Sequence, residues 1–512
     1  MAVDQRAVAQ REAPVGDQPG LRRNLKLWHV IGLSIGLMAP SMAISINPQG
    51  AIAAVGRAIP LSFLISMVGA LLVAYGFSRL SQHFHHSGSV LGLVGATLGA
   101  RAGVVAAWCL AGTYILFAFL TAVTAGIYGT LFLQAVHIIH SDPNWLAYLI
   151  GAIVVVVAGV LAAVPADRAT DVILSFEGLT ITLIVIAAVV VTIKLLGHSG
   201  PGHLGVTMSV FTPAKGTTTS NIFLGVVFGF LSFGGFEAAA ALGGEATKPR
   251  RDIPRAIMGT VLIIGVFYVA ISAVEVMGFG TSKAGLQNFA NSPALLGTLG
   301  QTYVASWFGD LIILGTVVSA FGCSMASCVG ASRLIYSFAR DGLSPRHPLA
   351  RVSPRYNTPV VAVGVVIAVE LILEVLLGGL AGATPITVFA WSGTISTFLI
   401  LIAYGLVTVG AFAFLFVEPL LRGEPAKARM AEIVLPVAGV LLLAYTIYRN
   451  VVPYPTGSSA WLPVAAGVWL LISLVAVVIA PSFSRRLGEQ LVTDEGFEVV
   501  PPVESFRQPV NA

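Results

Sequence analysis

Charge is what this chain has least of: Asp, Glu, Lys and Arg make up 10% of its 512 residues, while 56% are hydrophobic. A soluble domain needs roughly 25% charged residues to cover its surface, so that class is excluded. Cysteine is almost as scarce. Cys109, Cys323 and Cys328 all lie in apolar segments without metal-ligand spacing, which excludes a disulfide framework and leaves small buried side chains. The chain has no Walker motif for an ATP-driven step and no Ser/His/Asp set at a depth that would serve hydrolysis, so no enzyme is expected. His83, His85 and His86 are close together, but no Cys or carboxylate adjoins them. No metal, cofactor or nucleic-acid partner is therefore expected. Residues 1–26 contain Pro14 and Arg22-Arg23 but no apolar core followed by a cleavage site. They read as a cytoplasmic tail and not as a signal peptide.

Apolar length is what the chain has in abundance. A crossing of a bilayer needs about 20 apolar residues, and such windows fall at 27–54, 58–80, 98–132, 145–165, 171–196 and 221–243. Six more fall at 254–278, 303–332, 358–379, 385–415, 431–449 and 460–480. The expectation is an all-α, multi-pass membrane domain of twelve spans over 27–482, with tails at 1–26 and 483–512. Of the 28 Lys and Arg residues, Arg57, Lys194, Lys215, Lys283 and Arg449 fall on one side and the rest on the other. Basic residues stay in the cytoplasm, so both termini are expected inside the cell membrane.

Two spans are interrupted. Span one reads HVIGLSIGLMAPSMAISINPQG, and Pro40 in its middle has no NH and clashes with the carbonyl of Gly36 if the helix continues. A break near 37–41 follows. Span six carries Gly229, Gly234, Gly235 and the ionisable Glu237 at mid-depth. A carboxyl there marks a functional site, and freed backbone is tolerated only where it lines a cavity or is buried in protein. Two broken spans, each opening a set of five, point to an inverted-repeat transporter with its site at the midplane. The repeats would be about 27–196 and 221–415, with the last two spans, 431–480, peripheral.

The run SFGGFEAAAALGGEATKPRRDIPRAI resembles the sixth-helix signature of the amino acid, polyamine and organocation transporter family. A second match is ASRLIYSFARDGLSPRHPLARVSPRYNTP, residues 331–359, which is similar to that family's loop between spans eight and nine. The resemblance covers about residues 25–480. It implies a LeuT-type fold of five plus five inverted helices with helices one and six broken. It also implies an amino acid permease that moves amino acids or related amines, by proton coupling or exchange. Substrate contacts would then come from Met38, Ala39, Pro40, Ser41 and Met42 in span one and Phe230, Leu231, Phe233 and Gly234 in span six. The NH-rich start of a half-helix attracts a carboxylate, and unwound carbonyls attract an ammonium group. The chain departs from the family at Ala39-Pro40-Ser41, where many relatives have Gly-Ser/Thr-Gly. Pro40 removes one NH from the cradle, leaves Ser41 and Met42 as donors, and admits amines or other organic cations.

Further candidates follow from position. Glu237 can take up and release a proton as the exposure of the cavity changes; the plainer reading is a carboxyl that caps freed NH groups. Glu177 in span five is a second proton site, or a cation ligand together with Ser324 and Ser327 of span eight. Phe228, Phe230, Phe233 and Phe236 crowd the span-six break as gate residues or as packing. Tyr114 and Trp391 are candidate pocket walls, and Glu275, Glu370 and Glu374 have no role that sequence assigns. The alternatives to a proton-coupled permease are a sodium symporter of the same fold and a sensor that binds without transporting.

Overall fold

The structure, a computed structural model, describes residues 27–84, 90–141, 143–164, 167–241, 246–343, 346–356 and 358–479, together with 481, 482 and 486. The N-terminal tail, nearly all of the C-terminal tail, and His85 and His86 lie outside these residues. Span one is two helices, α1 (Leu27–Met38) and α2 (Pro40–Val55), joined at Ala39. Pro40 takes the first position of α2, where its missing NH costs nothing, and Ala39 turns left-handed at φ 44°, ψ 60°. The break thus falls inside the expected window. A 3-10 turn at Gly56–Ala58 leads into α3 (Ile59–His83). Short α4 (Val90–Leu98) precedes α5 (Ala100–Ala135), and α6 (Asn144–Ala162) and α7 (Asp167–Leu196) complete the first five spans.

Span six is α8 (Thr219–Phe233) and the single turn α9 (Ala238–Ala241), and span seven is α10 (Pro249–Phe279). Helix α10 starts five residues before the apolar window because Pro249 and Pro254 both lie in its opening turns, where proline is tolerated. Two connecting helices, α11 (Lys283–Ala290) and α12 (Leu295–Tyr303), lead to α13 (Ser306–Ser337). The chain ends with α14 (Val360–Glu374), α15 (Pro385–Phe412), short α16 (Glu418–Arg422), α17 (Val434–Val451) and α18 (Leu462–Ile479).

Among the described residues, 11 helical stretches are long and apolar enough to cross a membrane. The first, Val30–His83, has 54 residues, more than twice the roughly 20 of one crossing, and is divided at Ala39 and again at Gly56. Counted as two, it brings the crossings to twelve. Helix α2 packs on α8, α3 on α10, α5 on α13 and α6 on α14, so each of spans one to four meets the span five places later. That pairing is the one an inverted five-plus-five repeat produces. Helices α17 and α18 lie outside it, against α15, α3 and α5.

The exterior is apolar: Leu149, Ile153 and Val160 on α6, Leu441 on α17 and Leu471 on α18 are all exposed. Side chains of this kind are stable on the outside only against lipid. Trp28, Trp145 and Trp307 stand exposed at helix starts, the position of interfacial anchors. Helices α5 and α18 are locked by a reciprocal pair: the Trp108 ring NH donates to the Trp469 carbonyl at 2.9 Å and the Trp469 ring NH to the Trp108 carbonyl at 3.0 Å. The rings stack at 4.8 Å. Trp469→Phe removes one of the two ring hydrogen bonds between α5 and α18 and is expected to cost about 0.5–1.5 kcal/mol, read as a lower melting temperature in detergent with substrate affinity unchanged.

Candidate functional site

The two breaks touch. Helix α8 ends because Gly234 leaves the helical region at φ −57°, ψ 130°, and Gly235 follows at φ 113°, a conformation that favours glycine. A Cβ on Gly235 would stand 3.1 Å from the Leu37 carbonyl carbon and 3.1 Å from the Met38 nitrogen. The unwound backbone of span six therefore rests directly on the end of α1. The Gly234 NH bends back to the carbonyls of Phe230 (3.1 Å) and Leu231 (3.3 Å). The Ser232 carbonyl accepts from the Tyr268 hydroxyl at 2.9 Å. The carbonyls of Phe233 and Gly234 have no hydrogen-bond partner among the described residues.

At the start of α2 every backbone donor is already used, while the Ser41 hydroxyl is buried without a hydrogen-bond partner among the described residues. Pro40 has none, the Ser41 NH donates to Glu177 Oε1 at 2.9 Å, and the Met42 NH donates to Ser319 Oγ at 3.2 Å. The Ala43 NH returns to the Ala39 carbonyl at 2.9 Å. Glu177 is 4% exposed and belongs to α7, so a side chain of span five reaches across to the broken end of span one. Glu237, also 4% exposed, is bound by three donors. Its Oε1 accepts from the Tyr114 hydroxyl (2.8 Å), and its Oε2 from the Tyr404 hydroxyl (2.6 Å) and the Gly235 NH (2.9 Å). A further polar link, Asn47 Nδ2 donating to Ser232 Oγ at 2.6 Å, ties α2 to α8.

A cavity of about 10 Å³, room for about one water, lies between the breaks and is lined by Met38, Met42, Leu231 and Gly234 from the expected set. Asn47, Phe117, Thr121 and Cys323 complete the polar and aromatic part of its wall. A larger cavity of about 600 Å³ opens at the end of the molecule where α2 finishes and α15 begins. Gln49, Phe228, Trp391, Phe398 and Asn450 line it.

The expected residues fall in several places. Trp391 lines the larger cavity, edge-on to Trp461 at 5.4 Å, and not the small one. The Tyr114 ring lies against Gly330 of α13 and its hydroxyl binds Glu237, so it supports the carboxyl and lines neither cavity. Phe230 points at Gly69 of α3, Phe233 stands edge-on to Tyr268 (5.4 Å) and Phe236 edge-on to Phe77 (5.7 Å). Those three rings pack within the helix bundle, and only Phe228 faces a cavity. Glu177 hydrogen-bonds neither Ser324 nor Ser327; the hydroxyl beside it is Ser319. Ser327 Oγ lies 3.8 Å from Cys323 Sγ, and Ser324 Oγ is buried without a partner among the described residues. Glu177 does meet α13, at Ser319, five residues before Ser324 and eight before Ser327.

Residues that sequence reading missed are Tyr404, Ser319, Asn47, Phe117 and Tyr268. Each is an ordinary residue in an apolar helix, and only the fold brings it to a break. Glu275 is fully buried on α10 with both oxygens unpartnered among the described residues. Glu370 and Glu374 are buried one turn apart on α14, away from both breaks, with Glu374 facing Gly151 of α6. His83 rests on Phe414, and no group of metal ligands occurs among the described residues.

An all-helical membrane protein whose two discontinuous helices meet at mid-depth is a transporter of the LeuT-type fold. Residues 25–479 match the Amino acid permease family, and the chain belongs to it. It is 23% identical over 402 residues to the branched-chain amino acid permease BcaP of Bacillus subtilis, an alignment covering 76% of this chain and 81% of that one. The low-affinity putrescine importer PlaP of Escherichia coli is 23% identical over 360 residues, 69% of this chain and 74% of its own. The fold is shared with a mutant manganese transporter of Eremococcus coleocola at a TM-score of 0.51 and 13% identity, covering 90% of this chain and 96% of that one. The chain is a permease and not an enzyme.

Proposed function

We propose that this permease moves an amino acid or a related amine by alternating access, with the substrate held between the breaks of spans one and six and its movement driven by protons. The reading rests chiefly on Glu177 and Glu237. Both are buried at the breaks, and neither forms an ion pair among the described residues. A carboxyl at such depth is expensive to keep ionised, so its charge state is coupled to whether the site is open to water. Met38, Met42, Leu231 and Gly234 contact the substrate, and the Phe233 and Gly234 carbonyls receive its ammonium group. With the termini in the cytoplasm, the larger cavity faces outward and the small one is the occluded site. The chain is built of two repeats, 27–196 and 221–415; a four-helix bundle rocks against the remaining scaffold, and residues 431–480 stay at the periphery.

A sodium symporter is the second reading, favoured by the unpartnered Ser324 hydroxyl on α13. Proteoliposomes loaded with amino acids and amines, with pH and sodium gradients imposed separately, decide between them. An inward proton gradient is expected to drive accumulation without sodium. Accumulation that follows sodium alone transfers the proposal to the second reading, and binding without any flux ends both.

A further inference from the structure

We infer that the preferred substrate is a cationic amine without an α-carboxylate, because the protein supplies that carboxylate itself through Glu177; this rests on the transport reading above. The half-helix start that would receive a substrate carboxylate offers three backbone positions and the buried Ser41 hydroxyl. Pro40 lacks the NH, Ser41 gives its NH to Glu177 at 2.9 Å, and Met42 gives its NH to Ser319 at 3.2 Å. Side chains from two other helices, α7 and α13, therefore occupy the cradle. A zwitterion that takes the Ser41 NH must displace Glu177 and leave a buried carboxylate without that backbone donor, which is costly.

The charge balance points the same way. The three salt bridges among the described residues involve Glu418 and Glu432, not the carboxyls at the breaks. The groups around Glu177 are Ser41 of α2, Tyr268 of α10 and Ser319 and Cys323 of α13, and α1 and α2 present no charged side chain toward it. The unpaired Phe233 and Gly234 carbonyls, with the Glu177 and Glu237 carboxyls holding the two breaks outside the wall of the small cavity and no cation among the described residues to balance them, suit an ammonium group. Once the small cavity opens beyond its present room for about one water, its wall of Met38, Met42, Phe117, Leu120 and Leu231 would suit an apolar tail on that amine.

The test compares matched pairs that differ only in the carboxylate: 3-methylbutylamine with leucine, and putrescine with ornithine. Binding to the purified chain is measured by thermal shift and by calorimetry, and uptake is measured in proteoliposomes. The amine of at least one pair is expected to bind at least tenfold more tightly than its amino acid. Glu177→Ala should reduce that ratio at least tenfold by opening the cradle to amino acids, whereas Glu177→Gln, which keeps an acceptor for the Ser41 NH, should leave the cradle filled. Equal or tighter binding of both amino acids, binding of no amine, or a ratio unmoved by Glu177→Ala overturns the inference. Amines that bind in the expected order but are never transported leave the inference standing and defeat the transport reading instead.

Discussion

Gly235→Ala is expected to lower the transport rate at least 100-fold while leaving the protein folded and in the membrane. The residue sits at φ 113°, where a side chain costs about 1–2 kcal/mol, and its new methyl would meet the Leu37 and Met38 backbone at 3.1 Å. Neither atom is the end of a flexible side chain, so relief requires the broken ends of spans one and six to move apart. A shift of this kind near 1 Å can cost about two orders of magnitude in a process that depends on alignment. Gly234→Ala is the control. Gly234 has a backbone conformation open to any residue, and its Cβ would meet the Phe117 ring at 2.5 Å. That ring can turn, so the expected result is weaker substrate binding with the turnover rate largely kept. If both variants lose rate equally, or Gly235→Ala loses little, the contact between the two breaks is not what transport depends on.

The contrast between those neighbours shows what a sequence can and cannot carry. Pro40 announced the break of span one because proline acts on its own backbone, whatever packs around it. The apolar windows gave the crossings for the same reason: lipid imposes length and composition on each segment separately. The five-residue offset at the start of α10 arose where proline-containing turns extend a helix beyond its apolar stretch. Glu237 and Glu177 stood out because an ionisable group in an apolar run is conspicuous alone. Their partners did not stand out. Tyr404 lies 167 positions from Glu237, and Ser319 is one of several small hydroxyl residues along α13. Which serine of that helix meets Glu177 depends on its rotation and register against α7, and five residues, well over one turn, separate Ser319 from Ser324. The span-six phenylalanines stayed undivided between gate and packing for a related reason: the sequence places four rings near the break, but the directions of three are set by Gly69, Phe77 and Tyr268 on other helices.

Glu237→Gln should abolish accumulation driven by a pH gradient and preserve exchange of internal for external substrate. The substitution keeps the shape of the side chain. Its amide oxygen can accept from Tyr404 and the Gly235 NH, as Oε2 does now, and its amide NH can donate to the Tyr114 hydroxyl, which rotates to accept. The break of span six is therefore held, and only the capacity to bind a proton is removed. Glu237→Ala differs because it leaves three buried donors unpartnered, at about 1–3 kcal/mol each, so it should lose stability as well as coupling. Tyr404→Phe removes one donor and keeps the carboxyl, and is expected to shift the pH at which accumulation is half-maximal without abolishing it. These three variants separate the two readings of Glu237. A carboxyl that serves only to cap freed NH groups predicts stability losses in proportion to lost hydrogen bonds, with the pH-driven accumulation ratio unchanged in Glu237→Gln. A proton carrier predicts the reverse order: the most stable of the three variants at position 237 and its partner, Glu237→Gln, should be the one that no longer responds to pH.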